Sequence, residues 1–184
     1  MKNKQTLCTA PNVLSLARLA MIPLIVWLYC MREAHLLTAL VLTVSALTDI
    51  ADGYIARKYH LVSDLGKALD PIADKLTQAV MLICLLFRFP VLRILVILMA
   101  GKELFMGVSG LMVLRRTGRV EGAKWHGKLN TCCLYALMVT HLLWPGIPAG
   151  ISSLMTGLCA GMMLFSLFLY SLQNILLLRH EKEV

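Results

Sequence analysis

An all-α integral membrane protein, a bundle of six transmembrane helices with both termini cytoplasmic, is the fold this sequence predicts. Three observations carry the prediction. First, 59% of the 184 residues are hydrophobic and only 15% are charged, with a mean hydropathy of +0.76. A soluble domain is nearer a quarter charged, and a disordered chain needs few apolar residues and many charges. Second, the apolar residues gather in six long runs that do not alternate, so strands are disfavoured. A bilayer core of about 30 Å needs roughly 20 such residues per helix. Third, the basic residues segregate to one side of the bundle that those runs define.

The runs cover 12–30, 36–56, 68–87, 91–114, 129–144 and 150–178. The first is long, carries Arg18 and lacks a small-residue cleavage site at its end, so it reads as a span and not as a cleavable signal. The fifth is short, and Pro145-Gly146 ends it. The sixth is long enough to tilt or to run past the membrane surface. No repeat or low-complexity stretch divides the chain, which reads as a single membrane domain over 1–184.

Six spans leave both termini on one side. That side carries Lys2, Lys4, Arg57, Lys58, Lys67, Arg115, Arg116, Arg119, Lys124, Lys128, Arg179 and Lys182, against Arg32, Arg88 and Arg93 on the other. The asymmetry places both termini in the cytoplasm. The net charge of +8, from 18 Lys and Arg against 10 Asp and Glu, therefore reads as membrane orientation and contact with anionic lipid, with no nucleic-acid partner. The six cysteines contain no CxxC and mostly sit in apolar runs; they read as small core hydrophobes.

Chemistry concentrates at the second and third spans. Asp49 and Asp52 are three residues apart, and Asp70 and Asp74 are four apart, so each pair shares one helical face. One pair closes the second span and the other opens the third. A short connection makes the two spans antiparallel neighbours, so all four acids can converge at the cytoplasmic end. Carboxylates at membrane depth are costly and mark a site. Clustered, they repel unless protons or cations neutralise them, and hard oxygen donors suit Mg²⁺, Mn²⁺ or Ca²⁺. Gly53 and Gly66 leave room for close approach, and Arg57, Lys58, Lys67 and Lys75 add positive charge. Acids for metal, with cations and glycines for phosphate, describe a site for a metal-bound pyrophosphate. Simple pairing of the acids with neighbouring Lys and Arg would not require this spacing. A membrane ion transporter is the alternative class, but transport favours acids near mid-membrane on broken helices.

The segment Asp49-x2-Asp52-Gly53-x2-Ala56-Arg57-x8-Gly66-x3-Asp70-x3-Asp74 resembles the full signature of the CDP-alcohol phosphotransferase family. Pro11-Asn12-x5-Arg18 is similar to the family's opening. The resemblance implies a six-helix membrane bundle, commonly a homodimer, whose site opens to the cytosol of a bacterial-type membrane. It implies transfer of a substituted phosphoryl group from a CDP-linked donor to an alcohol, with release of CMP. Carried onto this chain, Asp49, Asp52 and Asp70 would bind divalent metal, as two ions of Mg²⁺ or Mn²⁺. Asp74 would be the general base and would also touch a second metal. Asn12, Asp52, Gly53, Ala56, Arg57 and Gly66 would frame the CDP group.

Within the family, the chain most resembles the bacterial phosphatidylglycerophosphate synthases, which move a phosphatidyl group from CDP-diacylglycerol to glycerol 3-phosphate in phospholipid synthesis. Those enzymes typically carry Arg-Glu in the fourth span, where this chain has Lys102-Glu103. Their fifth span often opens Gly-Lys-x-Lys-Thr, where this chain has Gly127-Lys128-Leu129-Asn130-Thr131. Lys-x-Asn-Thr also resembles the family's cardiolipin synthases, which use phosphatidylglycerol. Acceptor binding is accordingly assigned to Lys102, Lys128 and Arg18, for either a polyol phosphate or a lipid alcohol. Trp125 and His126 read as interfacial anchors, and His35, His60, His141 and His180 have no evident partners.

Overall fold

A computed structural model describes the backbone at 10–58, 64–117 and 125–180, and the side chains at 16–48, 71–115 and 125–174. Among the described residues the chain forms six α-helices: α1 (Ala10–Val26), α2 (His35–Lys58), α3 (Asp64–Leu86), α4 (Arg93–Thr117), α5 (Trp125–Leu143) and α6 (Ala149–His180). Each coincides with one predicted apolar run. Pro23 lies inside α1, and the helix then continues as a wider π turn over Trp27–Met31. Glu33, with φ of 50°, reverses the chain into α2, and the Ala34 N–H donates to the Leu28 carbonyl across the turn at 3.0 Å.

Two helices start a full turn before their apolar runs: α3 at Asp64 against 68, and α5. In α5 the apolar run begins at 129, but the helix begins at Trp125, one turn earlier. Polar residues can extend the helix because His126 is buried against α6, which a count of apolar residues does not register. The long basic connection predicted over 115–128 is correspondingly shorter, since α4 continues to Thr117.

Two compact units are formed. One comprises Met1–Arg88 with Met138–Pro145, the other Phe89–Leu137 with Gly146–Val184. In the first, α1 packs against both α2 and α3. In the second, α4 packs against α6. On α6 and α2 much of the buried face is small or hydroxyl-bearing, the reverse of a water-soluble bundle. The buried stripe of α6 is Ser152, Thr156, Cys159, Met163 and Ser166, while Leu154, Leu158, Phe165 and Phe168 face outward. In α2, Thr38, Ala39, Leu42 and Ser45 are buried while Leu36, Leu40, Val44 and Leu47 are exposed. Small and hydroxyl residues inside with large apolar residues outside is how helices pack where the solvent is hydrocarbon. Two of these hydroxyls are satisfied within their own helices: Thr38 Oγ1 donates to the Ala34 carbonyl at 2.9 Å and Thr156 Oγ1 to the Ser152 carbonyl at 2.8 Å. By length and composition, Ala149–Asn174 can cross a membrane, with mean hydropathy 1.7; Leu16–Met31 and His35–Thr48 are shorter apolar helices.

Candidate active site

The acidic motif is carried on two helices of the first unit. Positions 49 and 52 fall on the last part of α2, and 70 and 74 on the first half of α3; each pair is on one face by helical register. Pro71 stands inside α3, directly after Asp70. It has no N–H to give to the carbonyl of residue 67, so the ladder is open one turn before Asp74. The side chains of Asn12, Asp49, Asp52, Gly53, Ala56, Arg57, Gly66 and Asp70 lie outside the described residues.

Asp74 is described. It is half-buried, and its Oδ2 accepts a hydrogen bond from Gln78 Nε2 at 2.8 Å. Gln78 is itself only 1% exposed, so this is a fixed donor one helical turn along the same face. Ala73, Thr77 and Met81 are buried on the adjoining stripe of α3, which seats the helix and gives Asp74 a rigid base. An amide N–H on Oδ2 requires that oxygen to act as an acceptor, which suits a carboxylate that binds a cation or takes a proton. The donor set of four aspartates without His or Cys fits a hard divalent cation. Among the described residues no group of three or more His, Cys, Asp and Glu could hold a metal; three of the four motif acids are outside that set. Arg18, on α1 of the same unit, is 2% exposed and lies within about 20° of Ile25 around the helix.

Lys102 and Lys128 belong to the second unit, in different settings. Lys102 is 4% exposed and continues the buried stripe of Leu95 and Met99 on α4, the helix that packs on α6. It lies within electrostatic reach of Cys159 on α6. Lys128 is exposed in the first turn of α5. Its neighbours on the opposite face are held closely. His126 Nδ1 lies 3.2 Å from Ser166 Oγ, and its ring meets Tyr170 edge-on with centroids 4.5 Å apart. At Gly127 an added Cβ would stand 3.0 Å from the Tyr170 hydroxyl. Asn130 is buried, and its Oδ1 has no hydrogen-bond partner among the described residues. His126 is therefore an internal packing residue and not the interfacial anchor expected of it, because one turn of polar helix is covered by α6. Trp125, by contrast, is exposed.

The sequence profile of the CDP-alcohol phosphatidyltransferase family matches residues 8–174. The chain belongs to this family. Its relatives include the CDP-diacylglycerol–glycerol-3-phosphate 3-phosphatidyltransferase of Rickettsia bellii, 45% identical over 103 residues, which are 55% of this chain and 56% of that protein. The protein of the same name from Bacillus subtilis is 35% identical over 153 residues, covering 75% of this chain and 78% of its own length. A cardiolipin synthase (CMP-forming) of Streptomyces coelicolor is 38% identical over 117 residues, covering 60% of this chain and 53% of its own. Against the rickettsial relatives the chain spans a little over half their length.

For a member of this family, two features of the site were not legible from the motif. Gln78 falls four residues after Asp74, the spacing at which side chains meet on a helix, so a search for partners of the acid could have found it. The clasp of Ser166 and Tyr170 on α5 has no such signal, since it joins residues 40 and more positions apart. His35 likewise has partners that the sequence did not show: Arg88 at 3.4 Å and the Tyr29 ring at 5.4 Å.

Proposed function

We propose that this chain is a phosphatidylglycerophosphate synthase: a metal-dependent enzyme that transfers a phosphatidyl group from CDP-diacylglycerol to glycerol 3-phosphate and releases CMP. The observation that carries the mechanism is the Gln78-oriented carboxylate of Asp74 on a helix that also bears Asp70. Relatives that match this chain and are named for that reaction support the choice of substrates. The chain is read as one six-span membrane domain with both termini and the acid cluster on the cytosolic side, working as a homodimer. An outward apolar surface on α2, α4 and α6 supports the membrane part of that reading.

Asp49, Asp52 and Asp70 would hold the divalent ions, Mg²⁺ or Mn²⁺, with Asp74 at the edge of a second. When bound, such ions stabilise negative charge on a pyrophosphate and on the departing phosphate. The rest falls to the chain's own residues. Asp74 takes the proton of the acceptor hydroxyl, and Gln78 keeps its carboxylate aimed. The acceptor oxygen then forms a bond to the lipid-bearing phosphorus, the bond from that phosphorus to the CMP oxygen breaks, and CMP leaves with the electron pair. Asn12, Gly53, Ala56, Arg57 and Gly66 frame the CDP group, the glycines by allowing close approach. Lys102, Lys128 and Arg18 offset the charge of the acceptor phosphate.

One observation favours a second reading. Asn130 is buried with an unpaired carbonyl oxygen, in the segment similar to cardiolipin synthases, and one relative carries that name. An acceptor panel decides between them. Purified protein with CDP-diacylglycerol and Mg²⁺ or Mn²⁺ should release CMP on addition of glycerol 3-phosphate. Release with phosphatidylglycerol alone would make it a cardiolipin synthase, and no release with any alcohol would refute both readings.

A further inference from the structure

Far from the acids, the first unit holds two thiols that the reaction does not use. Cys30, in the π turn after α1, and Cys84, near the end of α3, are 54 positions apart in sequence, and their Sγ atoms are 4.0 Å apart. Cys30 is exposed and Cys84 is buried. A disulfide has S–S of about 2.05 Å, so closure needs an approach of roughly 2 Å. Side-chain rotation and a small shift of the π turn, which has no regular i→i−4 ladder to break, supply motion of that kind. The surroundings are built: Glu33 holds the turn beyond Cys30 at positive φ, Tyr29 meets His35, and His35 meets Arg88 just beyond Cys84.

We propose that Cys30 and Cys84 form a redox pair that closes to a disulfide and ties the α1–α2 junction to α3. Cys84 lies ten residues beyond Asp74 along α3, about 15 Å at 1.5 Å per residue. The pair is therefore at the end of the unit opposite the acidic motif. On the topology given under the proposed function, on which this inference rests, that end faces away from the cytosol, where disulfides persist. The co-reactant is an external disulfide. The exposed Cys30 thiolate attacks it, forms a mixed disulfide and displaces one thiol. The Cys84 thiolate then attacks Cys30 Sγ and displaces the second thiol. One external disulfide is reduced to two thiols, which carry away the two cysteine protons, and one internal disulfide is formed. The tether encloses α2 and the acid-bearing part of α3, so it restrains the segment that carries Asp49, Asp52, Asp70 and Asp74 without touching them.

The test uses the full chain, first in detergent and then in sealed right-side-out membrane vesicles, with oxidised glutathione as the membrane-impermeant oxidant. After alkylation and proteolysis, mass spectrometry should find the Cys30 and Cys84 peptides joined, and dithiothreitol should separate them. Oxidation should raise Tm of the wild-type protein by about 5 °C or more, and should leave Cys30→Ser and Cys84→Ala unmoved. If both thiols of the wild-type protein stay alkylatable in detergent, or Cys30 is found only as a glutathione adduct or joined to a second chain, the pairing is overturned. If the link forms in detergent but not in vesicles, the pair lies on the cytosolic side, and the redox role falls together with the topology. CMP release on addition of glycerol 3-phosphate is measured separately, so loss of the activity reading would leave the disulfide result standing.

Discussion

Replacing Gln78 by Leu tests the assignment of Asp74 more sharply than replacing Asp74 itself. The leucine occupies a similar volume in a site that is closed to solvent, so packing of α3 is kept while the donor is removed. The lost contact is a 2.8 Å hydrogen bond to a carboxylate oxygen, and a bond to a charged group is worth about 1.5–3 kcal/mol. Asp74 is half-buried, so water can replace part of that, and the carboxylate gains rotational freedom. If the bond serves to aim the base, the full loss appears in the chemical step. At about 1.4 kcal/mol per factor of ten, kcat should fall roughly ten- to a hundredfold while KM for CDP-diacylglycerol stays within about twofold. Gln78→Asn draws the amide back by one methylene, beyond the range of a good N–H···O bond, and should resemble the leucine variant. Gln78→Glu sets two carboxylates together and should be worse than either. The assay is CMP release from purified enzyme at saturating glycerol 3-phosphate, with Tm measured alongside. An unchanged kcat in a folded Gln78→Leu enzyme would refute the positioning argument. A raised KM for the CDP donor at constant kcat would make Asp74 a binding residue and not the base.

The other predictions concern metal, acceptor and packing. Asp49→Asn, Asp52→Asn and Asp70→Asn should each abolish CMP release in protein that still inserts and melts cooperatively, and full wild-type activity in excess chelator would remove the metal role. Lys102→Ala and Lys128→Ala should each raise KM for glycerol 3-phosphate roughly ten- to a hundredfold through loss of one charge-assisted contact, with CDP-diacylglycerol binding spared; equal loss of both substrates would refute the assignment. Gly127→Ala should lower Tm modestly, because the new Cβ meets the Tyr170 hydroxyl at 3.0 Å and the ring must give way. Combining it with Tyr170→Phe should restore most of the loss, and no restoration would mean that the clash lies elsewhere.

What the sequence by itself determined is the part that depends on local patterns. Six apolar runs became six helices because helix formation needs only near-neighbour hydrogen bonds, and the Pro145-Gly146 break falls between α5 and α6. The acidic motif was legible for the same reason: spacings of three and four place Asp49 with Asp52, and Asp70 with Asp74, on one helical face wherever the helices go. Family membership followed from that local string, and the profile match over 8–174 agrees with it. Tertiary structure alone decided which side of each helix is buried. In an apolar chain, polarity does not mark the inward face, so the buried stripes of Ser, Thr and small residues on α2 and α6 could not be separated from lipid-facing ones by hydropathy. It also decided contacts between distant residues: Ser166 and Tyr170 clasping His126, which starts α5 a turn early, and Arg88 reaching His35. Cys30 and Cys84 read as isolated core hydrophobes in sequence, and only the packing of α1 on α3 sets their sulfurs 4.0 Å apart. Such contacts depend on how two helix faces meet, and that is set by the shapes of many side chains at once and not by any one segment's own pattern.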